Sequence, residues 1–252
     1  MTQRGEIVWS PDAHMASESR LASFARGKSF DELHQWSVKS PEEFWSSIWQ
    51  FCGMVGERGD RVVTRTANPS DPAVEFISTR FFPDAKLSIV ENFLQRTGDG
   101  EALVAIDETG KRRTRSWDEL RQRVANLASA LERLGIESGD RVAVWLPNSI
   151  EAIETMLAAA SLGAIFSSCS PDFGAQGVLD RFSQISPKVL VATDSYIYGG
   201  KKFDCLERLA TVQNGLPSLR TTLLVSSSEI ATQKLTTSYE TFLESGASAP
   251  VA

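Results

Sequence analysis

Residues 116–174 read SWDELRQRVANLASALERLGIESGDRVAVWLPNSIEAIETMLAAASLGAIFSSCSPDFG. Ser116 stands three residues before Glu119, the spacing at which a helix caps its own first turn. Leu120, Val124, Leu127, Leu131 and Leu134 then step by four and three, which is one face of a helix, and Gly135 ends it. RVAVWL (141–146) is a short apolar run rich in β-branched residues. Asn148 or Ser149 caps a second helix through Ile150, Ile153, Leu157 and Ala160, which Gly163 terminates, and AIFSSC (164–169) is the next strand. Strands separated by helices of about a dozen residues need crossovers, so they lie parallel in a sheet covered on both faces.

The alternation continues downstream. AQGVLDRFSQI (175–185) and FDCLERLATV (203–212) read as helices, KVLVAT (188–193) and TTLLVS (221–226) as strands, and LESGASAPVA (243–252) as a loop or frayed end. Upstream, ALVAID (102–107) is a strand and ETGKRRTRSW (108–117) supplies a turn and another. The first hundred residues differ. In SPEEFWSSIWQFCG, Ser40 reads as an N-cap, Pro41 as the first helical residue and Glu43 as the partner completing a capping box. Phe44, Trp45, Ile48, Trp49 and Cys52 make an apolar stripe whose expected use is packing. RTANPSDPAVEF (65–76) reads as a loop, and TRFFPDAKLSIVENFLQR (79–96) as a loop leading into a helix. The expected fold is α/β: an N-terminal α-rich cap region over 1–100, then a βα-alternating, mostly parallel sheet over 101–252.

Composition narrows the function. With 26 basic and 32 acidic residues the net charge is -6, which argues against a nucleic-acid or anionic-membrane surface. No apolar run reaches the roughly 18 residues of a membrane span. His14 and His34 leave little for a metal site, and no CxxC or HxxxH spacing occurs. Cys52, Cys169 and Cys205 read as small buried hydrophobes in a reducing compartment, so the expected location is cytoplasmic.

Two stretches stand out. SSCSPDFG (167–174) ends a strand in small side chains and breaks on Pro and Gly, leaving backbone exposed where open parallel sheets take ligands. YIYGGKK (196–202) is the best phosphate candidate: two glycines allow close backbone approach, two lysines add charge, and a helix N-terminus is expected next. The plainer alternative is a surface turn with solvated lysines. Asp180 and Arg181 read as solvated or ion-paired helix residues, and Asp140-Arg141 as a turn before a strand. No GxxxxGK[ST], GxGxxG or GxSxG motif is present.

Taken together, Ser116-Trp117-Asp118-Glu119-Leu120, Gly139 to Ala143, Leu146 to Ser149 and Leu162 to Ala164 resemble the opening of the large domain of adenylate-forming acyl-CoA synthetases. FSSCSPDFGAQGVLDRFSQISPKVLVATDSYIYGGKKFDCLERL (166–209) looks like the acetoacetyl-CoA synthetase branch, as do VWSPD (8–12) and FFPDAKLSIVENFL (81–94). In the last, Phe81, Asp84, Ser88 and Val90 replace that branch's usual Trp, Gly, Asn and Ala.

The resemblance implies a ligase using ATP, Mg²⁺ and CoA: a carboxylate, here acetoacetate, attacks the ATP α-phosphate to give acyl-AMP and pyrophosphate, and the CoA thiolate then displaces AMP. It implies that Tyr198, Gly199, Gly200 and Lys201 match a segment contacting the CoA nucleotide, with Tyr198 and Lys201 where acetyl-CoA synthetases carry arginines. It also implies that Asp172, Phe173 and Gly174 lie beside the pantetheine tunnel. The phosphate loop, the later Asp motif and the lysine-bearing domain of that family have no counterpart here; LLVSSSEIATQ (223–233) lacks the glycines and the lysine. The expectation is an N-terminal portion, without a catalytic residue or metal ligand, inactive alone. The alternatives are a non-catalytic CoA- or partner-binding module, half of a split enzyme completed by a separate C-terminal chain, or part of another short-chain acyl-CoA synthetase.

Overall fold

A computed structural model of the chain describes residues 7–65, 72–226 and 236–247. The chain packs as two compact units, residues 1–88 and 89–252. The boundary falls twelve residues before 100, because Val90 and Leu94 go into the core of the second unit.

The first unit is helical: α1 (Ala13–Ser17), α2 (Arg20–Ala25), α3 (Phe30–Lys39), α4 (Pro41–Phe51) and α5 (Pro72–Ser78), with a short antiparallel pair, β1 (Val63–Thr64) and β2 (Arg80–Phe81). The second half of RTANPSDPAVEF is thus helix rather than loop; residues 66–71 lie outside the described residues. α3 closes a capping box between Ser29 and Glu32. The box expected at Ser40 and Glu43 does not form. Ser40 is also the C-cap of α3, its amide bonded to the Trp36 carbonyl, and its φ of -131 and ψ of 61 leave no side-chain cap bond. The aromatic stripe of α4 packs as expected: Phe44 lies edge-on to Trp36 at 5.2 Å, Trp45 lies 5.1 Å from Phe81, and Trp49 lies 5.0 Å from Phe82. These contacts leave every α4 residue short of full burial.

The second unit begins with α6 (Ile89–Phe93) and the antiparallel hairpin β3 (Glu101–Ile106) and β4 (Arg112–Ser116). Then follow α7 (Trp117–Arg133), β5 (Arg141–Trp145), α8 (Ile150–Ser161), β6 (Ile165–Cys169), α9 (Ala175–Phe182) and β7 (Val189–Thr193). A second antiparallel hairpin, β8 (Ser195–Tyr198) and β9 (Lys201–Asp204), precedes α10 (Leu206–Gly215) and β10 (Thr221–Val225). The last elements are β11 (Thr236–Ser238) and α11 (Tyr239–Ser245). Ser116 and Glu119 cap α7 reciprocally and Ser149 caps α8, as their spacing predicts.

Five strands form one sheet in the order β11-β10-β7-β5-β6, and every pairing is parallel. Alternate residues of each strand point to opposite faces. Val142, Val144, Val189, Val191 and Leu223 meet a core that includes Leu127 and Leu131 of α7, Leu157 of α8 and Leu243 of α11. Ala143, Trp145, Leu190, Ala192 and Leu224 meet Val178 and Phe182 of α9 and Leu209 and Val212 of α10. The sheet is therefore doubly wound, with α7, α8 and α11 on one face and α9 and α10 on the other.

Three sequence expectations change here. Residues 243–245 are the end of α11, not a frayed tail; Leu243 and Tyr239 are buried, and residues 248–252 lie outside the described ones. Ile153 is on the outer side of α8, whose buried face includes Glu151 and Glu154. The cysteines are all free, but Cys52 is exposed and Cys169 half-buried, and only Cys205 is enclosed. Among the described residues no helix is long and apolar enough to cross a membrane.

Candidate functional site

The sheet topology locates the crevice. β5 leaves the sheet through α8 on one face, and its neighbour β7 leads to α10 on the other. Ligands of open parallel sheets bind at the carboxyl ends of such a neighbouring pair. β6, the strand ending in SSC, is instead the edge strand, paired to β5. Its carboxyl end is not itself the switch point, which neither small side chains nor strand pattern could reveal.

The turn after β6 nevertheless reaches back to β5. Trp145, fully buried at the end of β5, donates its indole N–H to the Ser170 carbonyl at 3.1 Å. Phe173 donates its amide to the same carbonyl at 3.3 Å, and Gly174 takes the N-cap position of α9. Phe173 is 38% exposed, with the Arg181 guanidinium 4.1 Å from its ring centroid. Arg181 also donates to the Gly177 carbonyl at 2.7 Å, so this exposed side chain is held over the ring.

β8 and β9 carry the second stretch. Gly199 and Gly200 form the turn with φ of 58° and 72°, the positive pair that a two-residue hairpin needs. Tyr198 pairs with Lys201 and Tyr196 with Phe203 across the hairpin. Residues two apart share a face, so Tyr196, Phe203, Tyr198 and Lys201 project from the same side. The Tyr196 and Phe203 rings stack at 5.2 Å with an 18° tilt. Tyr198 is 68% exposed, and Lys201 is exposed beside it.

The structure corrects one element of the phosphate reading of this stretch, the helix start expected next. No helix N-terminus follows the glycines directly: β9 intervenes, and α10 starts only after Cys205. The Gly200 amide, the donor an anion would use, is bonded to a Glu108 carboxylate oxygen at 3.1 Å.

At its base the hairpin is tied to the crevice. The Cys205 amide donates to the Asp194 carbonyl at 2.7 Å, and the buried Asp194 carboxylate accepts from the Ser195 hydroxyl at 3.0 Å and the Ser226 hydroxyl at 2.6 Å. Arg208 of α10 joins the two stretches. It donates to the Pro171 carbonyl at 3.3 Å and to the Asp204 carbonyl at 3.1 Å, over the rings of Trp145 and Tyr196. Sequence reading passed over Arg208 because a lone arginine on a helix carries no local signal. Its partners come from 37 positions upstream and from the preceding turn.

Titration follows burial. Desolvation pushes the Cys169 thiol up to about 11, and it raises the Cys205 thiol despite the nearby Arg208. Neither is a ready nucleophile. Among the described residues no three His, Cys, Asp or Glu side chains gather as a metal site.

Residues 90–249 match the family described as AMP-binding enzyme. The chain belongs to that family. The chain is 42% identical over 218 residues to the acetoacetyl-coenzyme A synthetase of Rhizobium meliloti, covering 83% of the chain and 32% of that protein. It is 41% identical over 236 residues to the acetoacetyl-CoA synthetase of Xenopus tropicalis, covering 87% of the chain and 33% of that protein. Its fold superposes on the acetoacetyl-CoA synthetase of Streptomyces lividans with a TM-score of 0.81 at 33% identity, over 95% of the chain and 38% of that structure. The chain thus spans about a third of the length of the curated relatives it matches.

Proposed function

We propose that this chain is the N-terminal portion of an acetoacetate–CoA ligase, which joins acetoacetate to CoA while ATP is cleaved to AMP and pyrophosphate. The observation that carries this reading is the likeness to acetoacetyl-CoA synthetases along 83% and 87% of the chain. In this reading the chain contributes to the CoA surface and holds no catalytic residue.

CoA presents an adenine ring, phosphates and a slender thiol-ended arm. An aromatic face with a cation at its tip suits the nucleotide end: Tyr198 offers a ring for stacking and Lys201 a point charge for a phosphate. The Gly199-Gly200 turn keeps that tip free of side-chain bulk. Phe173 and Gly174 form the wall along which the arm runs. The small side chains of Ser167, Ser168 and Cys169 leave room beside it, which accounts for their place at the end of β6. Because Glu108 occupies the Gly200 amide, Lys201 is the principal anion contact at this tip.

The isolated 252-residue chain is expected to release no AMP from ATP and acetoacetate above a blank. Saturable calorimetric binding of CoA, weakened by Lys201→Ala, supports the CoA surface; acetoacetate-dependent AMP release by the chain alone overturns the inactivity. Activity regained on adding a separate chain that supplies the remainder of a relative identifies a split enzyme. A second acyl specificity has one observation behind it: the chain is 34% identical over 205 residues to a malonamoyl-CoA synthetase of Penicillium aethiopicum. Competition between acetoacetate and malonamate in the complemented enzyme separates the two. With three free cysteines, we place the protein in the cytoplasm.

A further inference from the structure

We infer that Arg208 is a positioning residue that fixes the spacing between the Pro171–Gly174 turn and the β8–β9 hairpin, and so sets the width of the surface assigned above to CoA. The inference rests on that assignment for its functional meaning, but its structural content stands on contacts of Arg208 alone.

The guanidinium reaches both segments with different nitrogens. Nη1 donates to the Pro171 carbonyl at 3.3 Å, and Nη2 donates to the Asp204 carbonyl at 3.1 Å and lies 3.3 Å from the Cys205 sulfur. Its carbon sits 5.7 Å from the Trp145 ring centroid and 6.0 Å from that of Tyr196. Apart from Cys205, the N-cap of α10, each of these neighbours belongs to one wall or supports it. The Pro171 carbonyl is in the turn, and Trp145 is the residue from whose indole N–H the turn hangs. Asp204 ends β9, and Tyr196 begins the aromatic face of the hairpin that continues through Phe203 to Tyr198 and Lys201.

A planar, forked cation is suited to this task. Its donors diverge in one plane, so a single rigid group bridges two carbonyls, while its flat faces lie against rings. A lysine ammonium is a point charge on a flexible stem and cannot hold both carbonyls at a set separation. Arg208 touches neither Tyr198 nor Lys201; it acts on them through the base of the hairpin.

The test uses the 252-residue chain and its Arg208→Lys and Arg208→Ala variants, read by hydrogen exchange and by titration with CoA itself. Amides in 172–174 and 195–204 are expected to exchange about tenfold faster in both variants, as losing a charged donor's bonds implies, while those of β5 and β7 are unchanged. CoA binding weakens by about the same factor in Arg208→Lys. Dilute guanidinium ion, but not ammonium, restores slow exchange in Arg208→Ala, a readout that general loosening would not give. Unchanged exchange, faster exchange in one segment only, or faster exchange spreading through β5 and β7 overturns the inference. CoA binding that is unaltered in Arg208→Lys overturns it too, while leaving the CoA assignment intact. Coupled exchange in a chain that binds no CoA supports the positioning role and rejects the CoA assignment instead.

Discussion

Tyr239, the first residue of α11, donates its hydroxyl to a carboxylate oxygen of Glu154 on α8 at 3.1 Å, and both residues are almost wholly enclosed. The same carboxylate accepts from Arg123 of α7 at 2.6 and 3.0 Å and from Arg115 of β4 at 3.1 Å. Arg123 in turn bonds Glu240 of α11 at 3.0 and 2.7 Å. Four elements thus meet on one buried charge. Burial and the adjacent Glu154 push the Tyr239 phenol well above its ordinary value, so it stays a donor.

Removing one partner from such a cluster strands the others. Glu154→Ala leaves two arginines without their shared acceptor and is expected to cost about 3–5 kcal/mol, a large part of the roughly 5–15 kcal/mol that holds a typical domain. Tyr239→Phe removes one bond to a charge and is expected to cost about 1.5–3 kcal/mol. Urea unfolding of the two variants ranks them; equal midpoints would contradict the shared role of Glu154.

Acid acts on a second clamp. Arg113 of β4 bonds both oxygens of Glu151 at 2.7 and 3.1 Å. Burial alone would raise the Glu151 carboxyl, but the Arg113 bonds, a backbone bond and charge attraction outweigh it and hold the group below its usual range. A depressed carboxyl stabilises the fold above its unfolded value and loses that contribution as pH falls through the folded one. Between about pH 5 and pH 3 the wild type is therefore expected to lose more stability than Glu151→Gln, measured as the shift in urea midpoint.

The thiols should separate by burial. An aromatic disulfide reagent at about pH 8 is expected to label Cys52 promptly. With its thiol near 11, Cys169 is then only about one part in a thousand thiolate and reacts far more slowly. Cys205 is expected to wait for unfolding. Mass mapping of the first-labelled peptide checks the order, and prompt labelling at Cys205 would mean that α10 opens readily.

Gly246 follows α11 where a Cβ would overlap the Asn126 carbonyl oxygen of α7. The neighbour is backbone and cannot swing aside. Gly246→Ala is expected to destabilise by about 1–3 kcal/mol, as overpacking does, and to free the α11 amides first in hydrogen exchange. Full protection of α11 would show that the helix shifts without cost.

At the hairpin tip, Glu108 competes with any anion for the Gly200 amide. Glu108→Ala is expected to tighten CoA about two- to fivefold, the scale of one exposed charge interaction. Unchanged or weaker affinity would remove the Gly200 amide from the CoA surface.

The elements themselves were legible in the sequence where their causes are local. Ser116 with Glu119 and Ser149 with Ala152 lie within one helical turn, so the caps of α7 and α8 follow from spacing alone. The leucines of α7 bury because their period matches the helix, and RVAVW becomes a strand because it is short, apolar and β-branched. The Ser40 box failed where two helices share one residue. The β8–β9 hairpin was missed because two aromatic–aliphatic residues before Gly199-Gly200 and two lysines after it show little alternation. Strand order, in contrast, is not a local property. That β6 is an edge strand and that the crevice lies between β5 and β7 depends on which faces α8 and α10 cover. Arg208 meeting Pro171, and Glu154 meeting Tyr239, are likewise decided only when distant segments are packed, since no residue near either one in sequence requires the contact.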